Sequence, residues 1–358
     1  MSFNNIEFIV LIVMMVLLFL LGLRKREAVN VGKYTGIDLP MSTALKGIAC
    51  VLILMGHFAA RKLAIGDTTP ITRVVYLTTA NIALALFMYF SGYGLSLKKP
   101  NCGGGHLSSW YNRIKKVYFP LLITCVIAML LYTILPVKFS LEESEIVGFP
   151  KDIWYMHNFK PDYLKILAPH LFGWKDWYVF CIMIFYSFFY LSQSLTRSNP
   201  ANQTWVLWLM MVVYFIFAYF YFGKAEAHWY RYCWAFFLGH VHGKTVQCGK
   251  VNKWDVLMLV GLLVTIIVES RFMILSYITA VLIIIVCSLI NKKYYINSCL
   301  LAFMGGISYF FYLSHERLGY TAMAYTEINS VILWVVITII ISFALKATYD
   351  CLLLKKSR

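Results

Sequence analysis

Two polar side chains, ahead of the closing Arg61, interrupt an otherwise apolar stretch, ALKGIACVLILMGHFAAR, at residues 44–61. Lys46 lies near its start, and His57 follows eleven residues later. On an α-helix that spacing is close to three turns, so the two side chains share a face, about 16 Å apart along the axis. Histidine is the side chain suited to moving a proton near neutral pH. An ionisable group deep in an apolar helix is costly, so it faces a cavity or a partner. A lysine at the other end suits an anion such as a phosphate. The pair therefore fits a phosphate-bearing co-substrate held at a membrane rim, with its reactive end at the histidine. The plainer alternatives are a histidine hydrogen-bonded to a neighbouring helix and a lysine marking a helix end, and both stay open on these residues alone. Ala49, Cys50, Gly56 and Ala60 are small enough for close helix packing or a ligand channel.

Other candidates are more scattered. Arg113 and Lys116 are three residues apart and share a helix face. With Lys46 they could grip a diphosphate or a 3′-phosphate, although basic residues at a membrane rim also serve sorting and lipid contact. Ser91, Gly92 and Tyr93 lie in the run FSGYG. Its glycines either pack helices or loosen one so that Ser91 faces a cavity, and nothing nearby supplies the rest of a nucleophilic triad. Trp177 and Tyr178 open an apolar run, where interfacial aromatics are expected. His315 sits in Ser314-His315-Glu316-Arg317 at the end of another run, where polar interface residues are the plainer reading. His240 and His242 are spaced i, i+2 and do not share a helical face, so they are set aside as ligands. The nine cysteines are single, with no CxxC pair. They read as small packing residues, with no disulfide framework and no metal site expected.

These residues must be held by membrane helices. The chain is 61% hydrophobic and only 13% charged, too little charge for a soluble domain of this length. Apolar stretches near the length of about 20 residues that spans a bilayer recur throughout, and the alternation of an outer-membrane barrel is missing. The expected fold is all-α, a polytopic transmembrane bundle of about eleven helices, at 6–23, 43–60, 72–97, 114–135, 176–195, 203–222, 229–244, 254–269, 272–291, 299–314 and 330–354. Residues 1–42 read as an added N-terminal helix and connector, and 43–358 as the core. The one long connection, 136–175, has a length that suits a cover over a site. With the N-terminus outside, the inner segments carry 20 Lys/Arg against 4 Asp/Glu, and the outer ones 12 against 12. The whole net charge of +16 thus falls on one side. That obeys the positive-inside rule, places the C-terminus in the cytoplasm, and removes the main argument for nucleic-acid binding. A bacterial inner membrane fits this composition.

Four stretches, in order, resemble the acyltransferase 3 family of membrane-bound acyltransferases. ALKGIACVLILMGHF resembles its first core helix, a basic residue, ten residues and then histidine, matched by Lys46 and His57. LFMYFSGYGLSL resembles its Phe-rich Ser-Gly-aromatic helix, NRIKKVYFP its basic lead-in to the third, and ISYFFYLSHERL its Ser-Tyr-x-x-Tyr-Leu-x-His helix. WYVFCIMIFY and FFLGHVHG are weaker matches. Lysine stands at 46 where arginine is more usual, and Arg113 with Lys116 replaces two arginines.

The resemblance implies ten core helices plus one at the N-terminus. It implies transfer of an acyl group, usually acetyl, from acyl-coenzyme A as a co-substrate to a hydroxyl of an envelope polysaccharide or lipid-linked sugar, with no permanently bound cofactor. His57 would be the catalytic base or transient acyl carrier, and Lys46, Arg113 and Lys116 would hold the coenzyme A phosphates. Ser91, Gly92, Tyr93, Trp177, Tyr178 and His315 would support the substrates. The competing expectation is a transporter or flippase for a lipid-linked sugar or small solute, using the same histidine and basic rim. A glycan polymerase or a scaffolding membrane protein would leave the Lys46/His57 face unused.

Overall fold

In a bilayer every backbone N–H and C=O must be satisfied within the protein, which leaves helices for an apolar chain of this kind. The computed structural model describes residues 3–27, 36–64, 66–98, 106–134, 176–223, 226–249, 252–269, 274–319 and 330–354. Eleven helices lie within them: α1 (Phe3–Gly22), α2 (Leu39–Ala64), α3 (Pro70–Ser96), α4 (His106–Ile134), α5 (Trp177–Leu195), α6 (Gln203–Phe222), α7 (Cys233–Cys248), α8 (Lys253–Glu269), α9 (Ile274–Asn291), α10 (Cys299–Ser314) and α11 (Val331–Leu354). They correspond one to one with the expected set. Seven are long and apolar enough to cross a membrane by length and composition. Three of the others, α7, α8 and α10, have 16 or 17 residues. The segment 136–175, expected as a cover, lies outside the described residues.

Boundaries shift where capping outweighs hydropathy. Helix α2 starts at Leu39, ahead of the expected 43, because Asp38 Oδ1 accepts the Met41 N–H at 2.9 Å and caps the first turn. Pro40 is tolerated there because first-turn N–H groups have no intrahelical acceptor. Helix α4 starts at His106 and carries Pro120 inside it. A two-stranded sheet was not foreseen: β1 (Leu23–Lys25) pairs antiparallel with β2 (Tyr294–Ile296). Three residues per strand are too few for a readable alternation, and the all-α class is unaffected.

The added N-terminal helix is tied to the bundle at both ends. The Glu7 carboxylate accepts the Ser330 hydroxyl at 2.6 Å and the Val331 N–H at 2.9 Å, capping α11. At the other end Arg26 pairs with Asp38 and donates to the Asn291 carbonyl at 3.0 Å, while Asn291 Nδ2 donates to the Gly36 carbonyl at 2.9 Å.

Helix α2 is the centre, packed between α3 and α10, and α3 packs in turn on α7. The α2–α10 contact brings backbone against backbone. A methyl group on Gly305 would fall onto the Thr43 carbonyl, and one on Gly47 onto the Leu301 carbonyl and Met304. Three residues past Gly47 and Gly305, the Cys50 thiol donates to the Ser308 carbonyl at 3.7 Å, across a sequence separation of 258. The same separation relates Gly47 to Gly305 and His57 to His315. The helices therefore run parallel in one register from the glycines to the histidines.

This contact predicts opposite outcomes at adjacent positions. Gly305→Ala will lower stability by about 1–3 kcal/mol through overpacking. Gly306→Ala, where an added methyl meets nothing within 4 Å, will leave it unchanged or raise it by up to about 1 kcal/mol. Thermal melts of the two variants in detergent check this.

Candidate active site

Two cavities lie along α2 and have Tyr312 in common. The one at the end of α2 holding His57 is about 300 Å³. His57 Nδ1 lies 2.8 Å from Glu316 Oε1. A carboxylate only accepts, so Nδ1 carries the hydrogen and Nε2 the lone pair. That is the arrangement in which a carboxylate orients an imidazole and supports the cation formed when it takes a proton. His315 is buried, its ring 4.9 Å from that of His57, and its Nδ1–H donates to the Tyr312 carbonyl at 2.6 Å. The indole of Trp334 holds the His315 carbonyl at 3.0 Å.

Residues 315 and 316 would diverge by about 100° on a regular α-helix. Here α10 runs on into a π-helical turn, His315–Gly319, and both residues line the cavity. Such turns recur at functional sites. The remaining wall carries Asn81, Asp176, His228, Arg231 and a ring pair, Trp177 over Tyr232, with centroids 5.9 Å apart and planes 19° apart. Tyr232 donates to the Asn81 side chain, and Glu226 lies 3.0 Å from His228. Burial nevertheless holds the His228 imidazole below its ordinary pKa.

The second cavity, about 270 Å³, opens on the Lys46 end and is lined by Lys46, Ser91, Arg113, Lys116, Tyr178, Tyr186 and Tyr309 among others. Among the described residues, its wall holds three cations and no carboxylate. The Arg113 guanidinium lies over the Tyr186 ring at 5.1 Å, and Lys46 Nζ is 6.0 Å from the Phe90 ring. Arg113 Nε is buried with no hydrogen-bond partner among the described residues. The Arg113 charge, burial and the Lys116 charge together push the nearby Lys98 ammonium below its ordinary value. Positive charge concentrated in this way favours a polyanion.

The expected site residues separate into groups. His57, His315 and Trp177 line the first cavity, while Lys46, Arg113, Lys116, Ser91 and Tyr178 line the second. Ser91 donates to the Phe87 carbonyl of its own helix at 2.9 Å and does not share a cavity with His57. Gly92 lies where α3 meets α7, and a methyl there would strike the Phe236 carbonyl. The Tyr93 hydroxyl bonds to both the Ile37 N–H and its carbonyl, at 2.9 and 3.0 Å. Neither residue lines either of these two cavities. His240 and His242, set aside earlier, bond to Ser96 and Tyr89 within the packing of α3 on α7.

Glu316 had no assigned role in the sequence reading, and the only signal for it was its place beside His315. Tyr312 stood in the Ser-Tyr-x-x-Tyr-Leu-x-His stretch without an assigned role, and Asn81, Asp176, His228 and Arg231 gave no signal, since the cavity is made by separate segments.

Residues 35–349 match the family described as an acyltransferase domain. No curated protein and no solved structure matches the chain. The match covers most of the chain, which therefore belongs to the acyltransferase 3 family and is an integral membrane acyltransferase. Membership speaks for an enzyme over a transporter or flippase. If Glu316 orients His57, Glu316→Gln will lower kcat for acyl transfer about 10- to 100-fold with the melting temperature unchanged; an unaltered kcat would remove Glu316 from the site.

Proposed function

We propose that this acyltransferase moves an acetyl group from acetyl-coenzyme A to a hydroxyl of a cell-envelope polysaccharide or lipid-linked sugar, working in a bacterial inner membrane with its C-terminus in the cytoplasm. The observation that carries this reading is the pair of cavities along α2, one cationic and one holding the histidines, both bordered by Tyr312. Coenzyme A phosphates sit on Lys46, Arg113 and Lys116 at the basic, cytoplasmic end. The pantetheine arm runs along α2 past Tyr178 and Tyr312, whose rings are 4.7 Å apart. The acceptor enters the other cavity, where Trp177 and Tyr232 offer a flat surface for a sugar ring and Asn81, Asp176 and Arg231 offer partners for its hydroxyls.

The chemistry follows from the tautomer of His57. Nε2 takes the proton of the acceptor hydroxyl as its oxygen attacks the thioester carbonyl. Glu316, on Nδ1, stabilises the imidazolium. The tetrahedral intermediate collapses, the C–S bond breaks, and the imidazolium returns its proton to the departing thiolate. The products are the acyl ester and free coenzyme A. Protonation of His57 before substrate arrives removes the base, so activity falls toward acid pH.

The test is release of free thiol from acetyl-coenzyme A by the purified protein, with a glycan extract of the host as acceptor. His57→Ala should lower kcat by about 10²- to 10⁴-fold, the usual contribution of a general base; activity that survives in a folded variant would overturn the assignment. Arg113→Gln and Lys116→Gln should each raise the donor KM about tenfold or more with kcat largely kept, and the loss should shrink at high salt. An unchanged donor KM in both variants would move the phosphates elsewhere.

A further inference from the structure

Spacing along the chain offers no metal-binding pattern, but the fold assembles one. His57 on α2 and His315 and Glu316 on the turn after α10 each bring a ligand atom within 4.8 Å of the other two. Two imidazoles and a carboxylate with room for water form a donor set characteristic of zinc sites that keep one position open. We propose that these three residues form a reversible, inhibitory site for a divalent transition cation of the zinc type, filled from the His57 cavity.

The geometry needs little change. Ligand atoms around a tetrahedral zinc lie about 3.3 Å apart, from metal–ligand distances of about 2.0–2.1 Å. His57 Nδ1 and Glu316 Oε1 are 2.8 Å apart and share one proton, and the cation would replace that proton. The third ligand, His315, is already oriented. Its Nδ1–H is held by the Tyr312 carbonyl at 2.6 Å, which puts the lone pair on Nε2, in the way second-shell carbonyls fix ligating histidines. The remaining closure falls on Glu316, whose side chain is 58% exposed. Asp176 and Arg231 line the same cavity with opposite charges, so the wall does not repel a cation.

Occupancy would stop catalysis for a definite reason. A cation on Nδ1 of neutral His57 leaves the ring hydrogen on Nε2, so Nε2 has no lone pair to accept the acceptor's proton. This inhibitory half rests on His57 acting as the base, as proposed above; the binding half does not.

The experiment is isothermal titration of the purified full-length protein with Zn²⁺ in detergent, without acyl substrates, beside thiol release measured across the same Zn²⁺ range. Exposed Cys248, Cys299 and Cys351 add binding common to all variants, so the difference from wild type is what is read. His315→Ala and Glu316→Gln should each lose one equivalent of Zn²⁺ or bind it at least about tenfold more weakly, since even second-shell losses cost 10- to 100-fold. His228→Gln, in the same cavity but outside the triad, should bind as wild type does. Wild-type thiol release should fall as that equivalent binds and recover on chelation. Equal binding by wild type, His315→Ala and Glu316→Gln would overturn the proposal. Loss on His228→Gln alone would move the cation to His228 and Glu226. Normal binding with undiminished thiol release would keep the site and overturn its inhibitory role.

Discussion

The site depends on the backbone-to-backbone approach of α2 and α10 at Gly47 and Gly305. In a bilayer the apolar effect does not drive one helix onto another, so close packing between small residues carries the association. Because the two helices run parallel, the register set at the glycines passes unchanged through Cys50 and Ser308 to His57 and His315. A slip of one residue would turn one of the histidines about 100° away. The opposite face of α2 is held in the same way, with Gly56 against Ala80 of α3. The helix that carries His57 is thus clamped on two sides by contacts that tolerate no added methyl.

Polarity along α2 divides the work. At one end, cations stand together with no carboxylate among the described residues of the cavity wall, an arrangement that costs stability unless an anion arrives. At the other, each histidine has a partner that settles its tautomer, Glu316 for His57 and the Tyr312 carbonyl for His315. The cations and the histidines are thereby kept apart by about three helical turns, and Tyr312 is the residue that borders both cavities. Its backbone fixes His315 while its ring closes on Tyr178, so the boundary between the cavities and the orientation of a histidine rest on one residue.

The N-terminal helix lies outside the family match, which begins at residue 35. It still bears on the site. Glu7 caps α11, Trp334 of α11 holds the His315 carbonyl, and Phe8 packs at 5.8 Å on Phe58, the residue after His57. A segment that reads as an addition to the core thus supports both histidines from behind.

The sequence by itself determined the eleven helices, the excess of basic residues on one set of their ends, and the shared face of Lys46 and His57. All of these are local. Hydropathy over about 20 residues marks a span, and the α-helical repeat places residues eleven apart on one side. The cations Lys46, Arg113 and Lys116 were also legible as a group, because each lies at a helix end expected on the same side. Only the tertiary structure decided that Glu316 is the partner of His57, that Ser91 belongs to the cationic cavity, and that Gly92 and Tyr93 serve packing contacts. It also decided that Asn81, Asp176, His228 and Arg231 share a wall with the histidines. These facts depend on the register of α2 against α10 and on the convergence of α2, α3 and α10 on one cavity. Neither leaves a mark on local periodicity, because each arises from how separate helices meet.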